Sequence, residues 1–170
     1  MLFKKTLLAV AALAFVGAAA AATATSSFNV KLTVTSNCLI KAAPVDVDLG
    51  SVAAGAAVSP GSTNIVVNCS KGTPFNVGLK PSNNDVLGAG VMAGPAPATP
   101  IPYQLHQTTA AGAVWGNTAG TNTMAGTGAG MGSISAQQVS FTAYATVATA
   151  ATDAVTLGAY TDLVTVTVTY

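Results

Sequence analysis

The sequence closes on Val164-Thr165-Val166-Thr167-Val168-Thr169-Tyr170, a strict alternation of apolar and polar residues, and the same period of two recurs along most of the chain. Successive side chains of a strand point to opposite faces, so such a run buries one face and wets the other. Phe28, Val30, Leu32 and Val34 alternate with Asn29, Lys31 and Thr33, and Val45, Val47 and Leu49 alternate with Asp46 and Asp48. Residues 65–69, 75–79, 103–105 and 139–143 supply four more runs. No amphipathic helical period follows the first 24 residues. β-Branched runs separated by Gly, Pro, Asn and Ser clusters predict an all-β sandwich or barrel in a single domain. Residues 88–102, with four prolines, and 116–133, with six glycines, read as loops that cannot carry long strands.

Charge narrows the function classes. Six Lys, five Asp, no Arg, no Glu and one His make 6% of the chain charged, against about 25% in ordinary globular domains. Lys31, Lys41, Lys71 and Lys80 stand singly, which argues against the clustered cations that displace counterions from nucleic acid. General acid/base chemistry wants a His or paired carboxylates and finds little of either.

Lys4 and Lys5, an apolar stretch over residues 7–16 and a small-residue tract over 18–24 have the order of a secretory signal. The expected leader is residues 1–22, with cleavage after Ala22 or Ala24. Its apolar part is shorter than the ~20 residues of a spanning helix. Cys38 and Cys69 remain, and an even count in an exported chain predicts one disulfide. Closing that loop removes unfolded-state entropy equivalent to ~3 to 4 kcal/mol. Without His or carboxylate neighbours the pair does not suit zinc, and its spacing is not that of a redox motif.

Other motifs dissolve on inspection. Gly88-Ala89-Gly90-Val91-Met92-Ala93 fits a relaxed dinucleotide pattern, but prolines follow where a helix is needed. His106, between Gln104 and Gln107, reads as a hydrogen-bonded strand histidine. Asp46 and Asp48 read as the wet face of a strand, Trp115 with Gly116 as a packing anchor and turn, and Asn68-Cys69-Ser70 as a chance glycosylation pattern. No catalytic, metal or cofactor constellation emerges, so neither an enzyme nor a small-molecule binder is expected.

The informative parts are the two ends. The final Val/Thr run has full strand character and no polar tail, which predicts a sandwich one strand short. A missing strand leaves an unpaired edge and a groove over the core, and residues 28–34 have the form of a filler. Docked into a groove, four apolar side chains contribute roughly 6 to 10 kcal/mol before ordering costs, in the manner of β-strand addition.

Cys38, then Val66-Val67-Asn68-Cys69, Tyr103-Gln104-Leu105, Trp115-Gly116, and finally Leu157-Gly158-Ala159-Tyr160-Thr161-Asp162 running into the Val/Thr strand, resemble the spore coat U domain family. That family includes pilus subunits of the archaic chaperone-usher pathway. The resemblance implies an incomplete immunoglobulin-like sandwich of six own strands over residues 36–170, completed by a donated N-terminal strand at 23–35. It implies a periplasmic chaperone that engages Val164, Val166, Val168 and Tyr170, an outer-membrane usher, and other copies joined by strand exchange through Phe28, Val30, Leu32 and Val34. The disulfide maps onto Cys38 and Cys69. The expected role is a structural subunit of a surface fibre in adhesion and biofilm formation. The alternatives are a spore or cyst coat protein of the same fold and, less favoured, a tip adhesin; self-completion by the chain's own N-terminal strand also stays open.

Overall fold

The computed structural model describes residues 22–97 and 99–170, so the expected leader lies outside the described residues except for Ala22. Residues 22–33 adopt no regular secondary structure and every one is exposed. Residues 34–170 form a separate compact unit.

Eight strands occur among the described residues: β1 (Cys38–Ala42), β2 (Gly61–Cys69), β3 (Pro74–Lys80), β4 (Ala89–Met92), β5 (Ile101–Gln107), β6 (Met124–Thr127), β7 (Val139–Thr146) and β8 (Thr165–Thr169). They form two sheets, ordered β1-β2-β7-β5-β4 and β6-β3-β8, in which every pair is antiparallel. Two 3-10 turns, Ser135–Gln137 and Thr149–Thr152, are the helical content of the described residues. The fold is the all-β sandwich that the alternation predicts, but with eight strands of its own in place of the six that the resemblance implies, because short edge strands form by pairing where alternation is weak.

The strand period places the core. Ile65, Val67 and Cys69 of β2, Phe75, Val77 and Leu79 of β3, Tyr103 and Leu105 of β5, and Phe141, Ala143 and Ala145 of β7 are all buried in one cluster. Trp115 joins them from the connection after β5 and is completely buried. Its indole Nε1 donates to the Val77 carbonyl over 2.8 Å, and its ring meets Phe141 edge-on at 6.3 Å. Phe141 meets Phe75 in the same way at 6.1 Å, tying the two sheets together. Trp115 is thus a packing anchor.

Three strands arise where alternation is weak. β4 and β6, of four residues each, lie inside the stretches expected as loops, and β1 places Leu39 beside Ile40 with a register shift before Ala42. The opposite outcome holds at residues 45–49, expected as a strand. Val47 and Leu49 do pack against the core, but the segment joins no ladder. Alternation reports one-sided burial, and this stretch achieves it as an extended strip beside β2, held where Thr63 Oγ1 donates to the Val45 carbonyl over 2.6 Å. Gly61 makes the approach possible, since a Cβ there would come within 2.5 Å of Val47 Cγ1. Residues 28–34 likewise alternate without forming a ladder.

Cys38 and Cys69 are disulfide-bonded, with Cα atoms 4.1 Å apart, at the first residue of β1 and the last of β2. Just before β1, Asn37 exchanges hydrogen bonds with Ser70: Asn37 N donates to Ser70 Oγ over 3.0 Å, and Ser70 N to the Asn37 carbonyl over 2.9 Å.

Candidate functional site

One side of the sandwich is unfinished. β8 pairs with β3 and ends its sheet, so its other edge carries free backbone donors and acceptors among the described residues. Beside that edge a trough of about 470 Å³ opens between the sheets, floored by Ile65, Leu79, Leu105 and Ala143, all core residues. One wall is the extended strip 44–49 and the other is the chain from Tyr160 to Val166. A second hollow of about 380 Å³, lined by Val52, Val155 and Leu157 among others, adjoins it and shares Leu49, Met92 and Tyr160. Val45, Leu157 and Leu163 are 76–82% exposed along these walls. Large apolar side chains at the lip of an opening onto the core mark a surface made to be covered.

The second wall is fixed by a polar knot. The Tyr103 hydroxyl, from β5, donates to Asp162 Oδ2 over 2.6 Å, and the Ser82 hydroxyl donates to Asp162 Oδ1. Alongside, Ala93 and Thr161 exchange backbone hydrogen bonds of 2.8 and 2.9 Å. The chain is therefore held against the five-stranded sheet at 161–162 and enters the three-stranded sheet at Thr165. Burial, reinforced by the hydrogen bond and charge of Asp162, pushes the Tyr103 phenol far above its ordinary range. Gly90 lies opposite Tyr103, and a Cβ there would run into the ring.

The apolar residues expected to act from the two ends fare differently. Val164, Val166 and Val168 are half-buried against the core, whereas Tyr170 is exposed. Phe28, Val30, Leu32 and Val34 are 82–89% exposed. Four large apolar side chains at alternate positions, all in water, form a strip of the period that a strand-shaped trough accepts.

A family model, the Spore Coat Protein U domain, matches residues 24–167. The chain belongs to the Spore Coat Protein U domain family. Among solved structures it is similar to the CsuC-CsuE chaperone-tip adhesion subunit pre-assembly complex from archaic chaperone-usher Csu pili of Acinetobacter baumannii, with TM-score 0.54 and 23% sequence identity. That match covers 81% of this chain but 40% of the other, and at this identity it is a likeness of fold. Comparison with curated proteins returned no match.

The remaining candidate residues of this Spore Coat Protein U domain have structural duties. His106 sits half-buried on β5, its Nδ1 2.8 Å from the Gly112 carbonyl and its Nε2 3.1 Å from Thr146 Oγ1. Asn68 is buried and donates to the Gly132 carbonyl over 2.6 Å, which removes it from glycosylation. The residues following Gly88 form β4 rather than a helix, so the dinucleotide pattern has no helix N-terminus. Asp46 and Asp48 are exposed on the strip 44–49, and Asp48 accepts from the Gly50 N–H over 2.8 Å. Reading the sequence alone misses the Tyr103-Asp162-Ser82 knot. The Asp closing the Tyr160-Thr161-Asp162 stretch, just before the Val/Thr run, is the one local signal for it.

Proposed function

We propose that this chain is a structural subunit of an extracellular chaperone-usher fibre, assembled by donation of residues 28–34 of one copy into the trough of the next. The observation that carries the reading is the pairing of two incomplete features in one chain: an open trough beside the free edge of β8, and an exposed apolar strip of strand period. Filling the trough covers Val164, Val166 and the apolar lip, satisfies the β8 backbone, and buries the four strip side chains at ~1.5–3 kcal/mol each before ordering costs. A head-to-tail contact of this kind does not close on itself, so it propagates a filament.

The anchorage of Asn37 to Ser70 supports exchange over self-completion. Only Thr35 and Ser36 separate Val34 from that anchor. β8 runs toward the same end of the sandwich, because it is antiparallel to β3, which starts just beyond Ser70. A strip folding back on its own body would need a reversal within those two residues and would lie parallel to β8. A strip from another copy is free to take the antiparallel pairing, which is slightly the more stable per residue.

Before assembly the same edge, with Val164, Val166, Val168 and Tyr170, is the surface a periplasmic chaperone would hold, and an outer-membrane usher would deliver the subunit to the cell surface. Adhesion and biofilm formation follow as properties of the fibre. Deleting residues 23–35 should leave a chaperone-bound subunit that accepts a strand and cannot donate one; normal fibres from that deletion would refute the proposal. A coat protein of the same family is the second reading, favoured if no chaperone and usher genes adjoin this one.

A further inference from the structure

Strand donation needs a register as well as a groove. Apolar alternation alone fixes it poorly, because a slip of two residues returns an apolar side chain to every pocket but one. Lys31 is the single charged residue among residues 22–37 and stands at the midpoint of the strip from Phe28 to Val34, on the face opposite the four apolar side chains. Of the five acids, Asp162 is held by Tyr103 and Ser82, Asp85 caps its own loop through the N–H groups of Leu87 and Ala89, and Asp153 lies beside Gly55, outside the lining of the trough. Asp46 lines the trough and accepts no hydrogen bond among the described residues, and Asp48 stands two residues along the same strip.

Their height along the trough matches. Val45 is held by Thr63, six residues up β2 from Cys69. Thr165 pairs with Lys80, six residues up β3 from Pro74. Both counts start from the short turn between β2 and β3, so Asp46 lies across the trough at about the level of Thr165. A donated strand with Phe28 beside Val168, Val30 beside Val166 and Leu32 beside Val164 puts Lys31 at that level, facing outward as Asp46 and Asp48 do. Because Lys31 is the midpoint, this height is the same for either direction of the strand.

Resting on the strand-donation reading, we infer that Lys31 of one copy pairs with Asp46 on the trough wall of the next, and that this charge contact sets the register of the inserted strand. Directly opposed charges on neighbouring extended segments attract, and their contribution is chiefly to alignment and partner choice. A slip of two residues moves the ammonium ~7 Å from Asp46, in one direction to the level of Asp48, whose carboxylate already accepts from the Gly50 N–H, and leaves one apolar side chain outside the trough.

The test uses the full chain, co-expressed with its chaperone and allowed to assemble at low salt. A zero-length carbodiimide reagent joins amine to carboxylate only when the two touch, and mass spectrometry of unheated ladder bands should find Lys31 of one copy linked to Asp46 of another; a link to Asp48 in its place marks a strand slipped by two residues and overturns the register. Copies distinguished by isotope labelling separate such links from those within one chain. Lys31→Asp and the double variant Asp46→Lys with Asp48→Lys should each slow ladder formation roughly two- to tenfold, the range for an exposed pair turned repulsive. Combining all three should restore the rate to within about twofold, and high salt should shrink each effect. Wild-type ladders without the link, or a combined variant no better than either parent, overturn the pairing while leaving strand donation intact. Absence of any ladder from the wild-type chain, or links confined to single chains, overturns donation between copies itself.

Discussion

On the strand-donation proposal, Leu32→Ala separates the strength of the junction between copies from the stability of the subunit. Leu32 is 87% exposed, so nearly all of its side chain has yet to be buried when the subunit has folded. The substitution removes three carbons, each worth ~0.8 kcal/mol on transfer out of water, and any unfilled space in the trough adds to the loss. The junction should weaken by about 2–3 kcal/mol, which is roughly 30- to 160-fold in its dissociation constant. The folded subunit should be unaffected, within about 0.5 kcal/mol, as for ordinary surface substitutions. Two measurements in urea check this: the midpoint for loss of ladder bands on unheated gels, and the unfolding midpoint of the chaperone-released monomer by tryptophan fluorescence. Trp115 is buried beside Phe141 and reports the core. Thr33→Ala, on the opposite face of the strip, is the control and should move neither midpoint. A Leu32→Ala chain whose ladders dissolve at the wild-type urea concentration, or whose monomer loses 2 kcal/mol, would refute the reasoning, since the side chain would then be idle in the junction or already buried in the subunit.

Two further outcomes follow from the body of the domain. Cys69→Ser together with Cys38→Ser should cost ~3 to 4 kcal/mol of subunit stability in the chain-entropy treatment of a loop of this length, read from urea midpoints with and without reductant. The phenol of Tyr103 has its proton affinity raised by folding, so the folded chain keeps a proton that the unfolded chain releases above pH ~10. That contribution is complete below pH ~10 and declines as the pH climbs further. Tyr103→Phe should cost ~1 to 3 kcal/mol at neutral pH by leaving Asp162 short of a donor, and should flatten the fall between pH 9.5 and 11.

Strands with strict alternation were legible because burial on one face demands it: β2, β3, β5, β7 and β8 each contain an expected run. β1, β4 and β6 were illegible for a physical reason. They are short, they lie at sheet edges, and pairing with a neighbour rather than burial defines them. Residues 45–49 show the converse, since Val47 and Leu49 satisfy their alternation against the core without a backbone partner. An opening onto the core was legible in residues 28–34, because an apolar run of strand period implies a place to bury it. Its wall was not: Tyr103 and Asp162 are 59 residues apart, and their hydrogen bond exists only once the chain at 161–162 lies against the five-stranded sheet.

The disulfide at the first residue of β1 also decides where a pulling force goes. Tension arriving from residues 28–34 reaches the body at Asn37 and Cys38, where the hydrogen bonds to Ser70 can yield but the covalent bond to Cys69 does not. β1 beyond Cys38 is exposed along its length and is the strand easiest to peel from an end. The bond shunts the load past it into β2, which is held on both sides by neighbouring strands and faces the core. The N-terminal segment is thus tied through Cys38 to β2, an inner strand of its sheet, and its attachment outlasts the strand it enters by.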